Sequence, residues 1–155
     1  MSDAAAQAKI GVKAVIIKDN QLLTVVKRYP EGTAYILPGG SQAHGELLEA
    51  AIRRECQEEI GVSVVVERLL FVREYIGANH QHATTDRHLH IVDILFACRV
   101  PDDYVPRVGP LPDFDQTGVT WLPIDTLQYY RFYPAALQEW LLKPECAGVY
   151  VGDIN

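Results

Sequence analysis

Residues 40–62 read GSQAHGELLEAAIRRECQEEIGV, and the spacing inside this stretch decides the fold. Leu48, Ile52, Cys56 and Ile60 recur every fourth residue, the apolar stripe of a helix predicted over residues 46–60. Gly61 follows where a left-handed C-terminal residue belongs. Glu55, Glu58 and Glu59 stand at i, i+3 and i+4, so the same helix gathers their carboxylates on one face. Like charges at those spacings cost a few tenths of a kcal/mol per pair. The C-terminal end of the helix macrodipole also disfavours anions. Stability gives no reason for such penalties in a single turn. A hard divalent cation removes them, and Mg²⁺ takes carboxylate oxygens in octahedral geometry. The small Ala51, one turn back on that face, leaves room for ions and water. Arg54 can hold a carboxylate in place, with Glu46 or Glu58 as its partner. Gly39 and Gly40 let the backbone approach closely, so the Gly39 carbonyl is a candidate further metal ligand.

Outward from this helix the chain is mostly strand. Residues 10–18, IGVKAVIIK, and 21–28, QLLTVVKR, flank Asp19–Asn20 and read as a hairpin with a tight turn. YPEGTAY is expected as a loop, and a short Ile36–Leu37 piece ends at the breakers Pro38, Gly39 and Gly40. Beyond Gly61, residues 62–76 are rich in β formers and read as a strand with a break. A polar loop over 77–87 leads to a long strand over 88–100. Residues 101–118 hold prolines and glycines throughout and read as an extended loop. GVTWLP is a short strand, followed by short helices over 124–130 and 134–142. This order suits an α/β or α+β fold, a sandwich around a mixed β-sheet.

Composition sets the frame. The chain has 155 residues, 48% apolar and 22% charged, the range of an ordinary globular domain. Residues 1–8 are expected to be a disordered N-terminal tail and residues 9–155 one domain. No stretch approaches 18 apolar residues, so no membrane span and no membrane partner is expected. The formal charge is −6, which gives no electrostatic reason to hold duplex nucleic acid; nucleic acid is not an expected partner. A small polyanion is compatible with this acidity if a metal cation lies between them. Cys56, Cys98 and Cys146 are widely spaced and odd in number, which argues against a disulfide framework and for a reducing, cytoplasmic setting.

The window also resembles the Nudix box, G-x5-E-x7-R-E-U-x-E-E-x-G-U with U aliphatic. Gly40, Glu46, Arg54, Glu55, Glu58, Glu59, Gly61 and Val62 all fall in place. Cys56 stands for an aliphatic residue, a mild change because buried cysteine behaves as a small hydrophobe. From average usage, the fixed residues coincide by chance on the order of 10⁻⁸ to 10⁻⁹ per start position. The flanking hairpin, the PGG before the box and the TGVTWLPID segment fit the same family.

The resemblance implies a Nudix-type α/β/α sandwich and hydrolysis of a nucleoside diphosphate linked to another moiety. The substrate is then a small-molecule nucleotide, of the ADP-ribose or nucleotide-sugar type. The alternatives are a nucleoside triphosphate pyrophosphatase of the nucleotide-sanitising type and a non-catalytic nucleotide-sensing module. It implies Mg²⁺, with Mn²⁺ as a substitute, bound by Glu55, Glu58, Glu59 and the Gly39 carbonyl. Glu55 is the expected general base, with Glu58 beside it and Arg54 and Glu46 orienting. Many relatives place an acid in the region of Asp113 and Asp115, and Gln116 is a candidate substrate contact. Arg28 and Arg73 are candidate phosphate contacts, Tyr35 a stacking residue, and Gly40 lets substrate come close. His80, His82, His88 and His90 have two readings, a zinc site and residues lining the cleft or a loop. The YYRFYP run, residues 129–134, packs the C-terminal helices on the sheet or forms a homodimer contact.

Overall fold

The computed structural model describes residues 6–143 and 148–155. Residues 1–5 of the expected tail, and Cys146, lie outside the described residues. The first strand, β1 (Lys9–Lys18), turns through Asp19 and Asn20 into β2 (Gln21–Tyr29). Both turn residues have positive φ, 51° and 59°, the backbone twist that a two-residue hairpin favours. The predicted loop after β2 instead holds β3 (Gly32–Ile36), which pairs antiparallel with β2. Thr33, Ala34 and Tyr35 supply the strand there, and Pro30–Glu31 form its turn. The expected breakers also pair: β4 (Gly39–Ser41) lies antiparallel to the start of β1.

Helix α1 (Leu48–Ile60) begins two residues later than predicted. The Glu46 side chain explains the shift, since its Oε2 turns back to accept the Ala43 N–H at 2.9 Å and holds the loop outside the helix. Gly61 ends α1 in the left-handed region, φ 70°, as its position predicts. The long β5 (Val65–Ile76) carries two register irregularities opposite β6 (His90–Arg99), the predicted break. A short helix, α2 (Ala83–Asp86), interrupts the connection between them. Next come β7 (Gln116–Pro123), a 3₁₀ segment over Ile124–Tyr129, β8 (Phe132–Tyr133), α3 (Leu137–Leu142) and β9 (Tyr150–Asp153). The second C-terminal helix is thus shorter than expected, and β9 is a strand the pattern does not announce.

The described strands form one curled mixed sheet in the order β8-β3-β2-β1-β6-β5-β9, with β4 on β1 and β7 on β2. The β1–β6 pair is parallel, while β5–β6 and β2–β7 are antiparallel. Alternation along the strands feeds two cores. Val12, Ala14 and Ile16 of β1 face Ile52, Cys56 and Ile60 of α1, while Val15 and Leu95 face Leu127, Leu137 and Leu141. This is the α/β/α layering expected from the sequence. Each fully buried Ile or Leu contributes about 1.5–3 kcal/mol. Burial raises both thiols of this α1-side core: Cys98 of β6 is pushed up to about 12 and Cys56 of α1 upward as well, so both stay protonated. Among the described residues no helix is long and apolar enough to cross a membrane.

Candidate active site

The apolar stripe of α1 is anchored in the core, and this orients its acidic face toward β4 and the start of β1. Glu59 is 1% exposed and reaches under β4, where its Oε2 accepts the Gly39 N–H at 3.0 Å. Its other oxygen, Oε1, is buried with no hydrogen-bond partner. Burial pushes the Glu59 carboxyl up to about 7, against the opposing pull of Lys13 and the Gly39 N–H. Glu55 lies against Gly40: a Cβ there would meet the Glu55 carboxylate at 2.5 Å, so only glycine leaves the acid its place. Burial raises the Glu55 pKa too, with Arg54 working against it.

Arg54 is the hub of the outer half. Its guanidinium donates to both Glu46 oxygens at 2.8 and 3.1 Å, to Glu55 Oε1 at 2.9 Å and to the Ser41 carbonyl at 3.0 Å. A longer contact of 3.5 Å reaches Glu58 Oε2. These hydrogen bonds, with the Ala43 N–H, hold Glu46 down at about 2 and raise Arg54. Arg54 thus pairs with Glu46 and, at longer range, with Glu58, the two partners that the sequence offers it. The box carboxylates are split between two partners, Arg54 outside and the Gly39 N–H inside. Among the described residues, no group of three or more acidic, histidine or cysteine side chains converges as a metal cage. The donor chemistry still fits a hard divalent cation, because the orphaned Glu59 Oε1 is a buried acceptor with nothing to bind.

The extended loop before β7 has a structural task that the sequence does not announce. It satisfies the last carbonyls of α1: Leu111 N–H donates to Glu58 O at 3.0 Å and Gly109 N–H to Glu59 O at 2.9 Å. Tyr104 OH donates to Ile60 O at 2.8 Å, and Arg107 to Gly61 O. Gln116 Nε2 also donates to Glu59 O, at 2.8 Å. Its amide N–H is thus committed to the helix end. The last turn of α1 contains no basic residue, so Arg107 supplies the cation that a helix C-terminus favours.

Other sequence candidates fall in several places. Asp113 and Asp115 both pair with Lys27 Nζ, at 2.7 and 3.0 Å. Burial opposes the Lys27 charge, but its hydrogen bonds to the two carboxylates and their negative charge outweigh it, and its pKa is raised. Arg28 is exposed, while its backbone N–H donates to the Asp115 carbonyl at 2.9 Å. Arg73 grips the buried Asp93 through Nε and Nη2 at 3.0 and 2.9 Å, and the Ile154 carbonyl through Nη1. Tyr35 packs edge-on to Tyr130, beside the core that faces α3.

The histidines are dispersed among separate partners. His80 meets Asp153 at 2.6 Å, His90 meets Glu74 at 3.0 Å and His82 meets the Tyr133 ring. Among the described residues these histidines do not converge as a group that could hold a metal ion. Lys13 is a candidate that the sequence reading misses. It pairs with Gly39 across β1 and β4, its charge acts on both Glu55 and Glu59, and it lines a recess of about 80 Å³. The alternation of β1 carries the signal, since Lys13 is the charged residue among its central positions.

Comparison with known proteins fits this geometry. The NUDIX domain profile matches residues 8–141. The chain belongs to the NUDIX family. An ADP-ribose pyrophosphatase of Methanocaldococcus jannaschii is 33% identical over 88 residues, covering 56% of this chain and 48% of that protein. A MutT-like protein of Streptomyces ambofaciens is 30% identical over 116 residues, covering 75% of this chain and 64% of that protein. The chain thus aligns with about half to two thirds of the length of these relatives. A NUDIX hydrolase structure from Nitrosomonas europaea superposes with a TM-score of 0.68 at 22% identity, covering 93% of each chain, and shares the Nudix fold. Nudix proteins generally use divalent metal ions.

Proposed function

We propose that this Nudix domain is a divalent-cation-dependent pyrophosphohydrolase that cleaves a nucleoside diphosphate linked to a sugar, of the ADP-ribose or nucleotide-sugar type. The observation that carries the reading is Glu59 Oε1, a buried carboxylate oxygen without a partner, beside Glu55 and under β4. Glu55, Glu58 and Glu59 would hold the cation, Mg²⁺ or Mn²⁺, with the Gly39 backbone beside them. When bound, such a cation neutralises phosphate oxygens and acidifies a coordinated water.

The protein's own groups supply the rest. The positive charge of Lys13, which acts to lower the pKa of both Glu55 and Glu59, would favour a non-bridging phosphate oxygen near them. Arg54, fixed by Glu46, holds the Glu55 carboxylate in one orientation. Glu55, raised by burial, takes the proton from the attacking water. The water oxygen bonds to phosphorus, the bridging P–O bond breaks, and two monophosphate products leave.

Mass-spectrometric analysis tests the reading after incubation with ADP-ribose and Mg²⁺. AMP and ribose 5-phosphate are expected, and intact substrate refutes it. The MutT-like relative favours a second reading, removal of pyrophosphate from a nucleoside triphosphate. Pyrophosphate and a nucleoside monophosphate from a triphosphate panel would mark it. Binding without cleavage would mark the sensing module.

A further inference from the structure

Strand β2 buries a cation, Lys27, and the ladder opposite it is irregular. Val26 pairs with Gly118 and Lys27 with Gln116, so Thr117 is an extra residue of β7. Such a bulge re-aims the side chains beside it. Gln116 is only 8% exposed, and the turn before it lies against β2. Lys27 Nζ donates to Asp113 Oδ2 at 2.7 Å and lies 3.0 Å from Asp115 Oδ1. The Gln116 N–H closes the turn on the Asp113 carbonyl at 3.0 Å, and the Arg28 N–H holds the Asp115 carbonyl. Two links run from this turn into α1. Upstream, the Gly109 and Leu111 N–H groups reach the Glu59 and Glu58 carbonyls. Downstream, Gln116 Nε2 reaches the Glu59 carbonyl. The residues so held are the last two acids of the box.

Resting on the cation-dependent reading above, we propose that Lys27 is a positioning residue: by clamping Asp113 and Asp115 it sets the turn that holds Glu58 and Glu59 for the cation. The two aspartates are then the counter-charges of the clamp, and neither touches the reacting atoms. Removing the ammonium strands two carboxylates that had shared it, and like charges so close move apart into water. The turn opens with them, and the α1 carbonyls lose their donors. Charge alone predicts the opposite sign. Deleting a cation leaves the site more negative, and the charge of Asp113 already acts on Glu59. If Lys27 were only a counter-charge, its loss would tighten cation binding. Loss of a clamp weakens it.

Calorimetric titration of the full chain with Mn²⁺ alone, without substrate, separates the two. Lys27→Met is expected to weaken Mn²⁺ binding about tenfold, the scale of one or two lost hydrogen bonds. Hydrogen exchange at the Gly109 and Leu111 amides should quicken with it. The triple variant Lys27→Met, Asp113→Asn, Asp115→Asn removes the stranded charges together with the ammonium. It should recover Mn²⁺ affinity to within about threefold of the native chain and slow those amides again. Circular dichroism establishes that each variant is folded. Equal or tighter Mn²⁺ binding by folded Lys27→Met would overturn the proposal. So would a triple variant as weak as the single one, since an aspartate would then serve the cation itself. If Lys27→Met fails to fold, Lys27→Gln, which keeps an N–H donor, decides the matter: binding about threefold weaker is expected, and equal or tighter binding overturns the clamp. Failures separate cleanly: a native chain that binds no Mn²⁺ sinks the cation-dependent reading and the clamp with it, while native binding that Lys27→Met leaves unaltered sinks the clamp alone.

Discussion

Glu59 concentrates the physics of the site in one carboxyl group. Its folded pKa of about 7 lies above the usual 4.5, so the folded chain holds that proton more tightly than the unfolded chain. The resulting stabilisation is complete below about 4.5 and is lost as pH rises through about 7. In chelator, unfolding free energy should therefore fall between pH 5 and pH 8, by about 3 kcal/mol at most. Urea titrations at both pH values check this: Glu59→Gln should flatten the slope, and Mg²⁺ should restore stability to the native chain at pH 8. A slope unchanged in Glu59→Gln would remove Glu59 from the account. Glu58 differs, being partly exposed and tied to Arg54 only by the 3.5 Å contact. Glu58→Gln should leave the fold intact and lower kcat by about a hundredfold or more, about 3 kcal/mol of barrier. Near-normal kcat in the folded variant would count against Glu58 as a cation ligand.

Helix α1 works only because another element finishes it. The loop over residues 101–115 caps its last carbonyls, and Gly109 comes so close that an added Cβ would lie 2.2 Å from the Glu58 oxygen. Gly109→Ala should push the loop away, leave carbonyls unpaired and lower stability by about 1–3 kcal/mol. Its kcat should fall with it, because Glu58 and Glu59 sit on those carbonyl-bearing residues; native stability and kcat together would show the cap to be dispensable. This dependence explains what was legible. The i, i+4 stripe of α1, the β1–β2 hairpin and the box residues carry periodic or spaced signals, and each was readable. A Pro- and Gly-rich loop has no period, so its capping role was not. The β3 strand was hidden by glycine and threonine at its start, and β9 by having four residues. Lys13 was masked by the apolar run around it. Asp115 and Gln116 were readable as polar loop residues, but their partners, Lys27 and the Glu59 carbonyl, are distant in sequence.

Across the molecule, the sheet joins an acidic end to an aromatic one, and its β5 edge is closed by the last described segment. Asp153 of β9 accepts from the Ile76 N–H, from Asn79 and from His80. Burial works against its charge, but these contacts prevail and hold it at about 2. Arg73 ties the same segment to the buried Asp93. Asp153→Ala should thus release β9 and the turn at residues 77–80 together, read as faster hydrogen exchange at the Ile76 amide, with exchange in β1 and β6 unaltered. Exchange at Ile76 that stays as slow as in the native chain would contradict that coupling. The claim on which everything else depends is that the box acids act through a bound divalent cation on a diphosphate linkage. Incubation of the native chain with ADP-ribose, with Mg²⁺ or with excess EDTA, followed by mass-spectrometric identification of products, tests it most directly. The account predicts AMP and ribose 5-phosphate with Mg²⁺ and intact substrate in EDTA. Equal cleavage in both, or none in either, would contradict it.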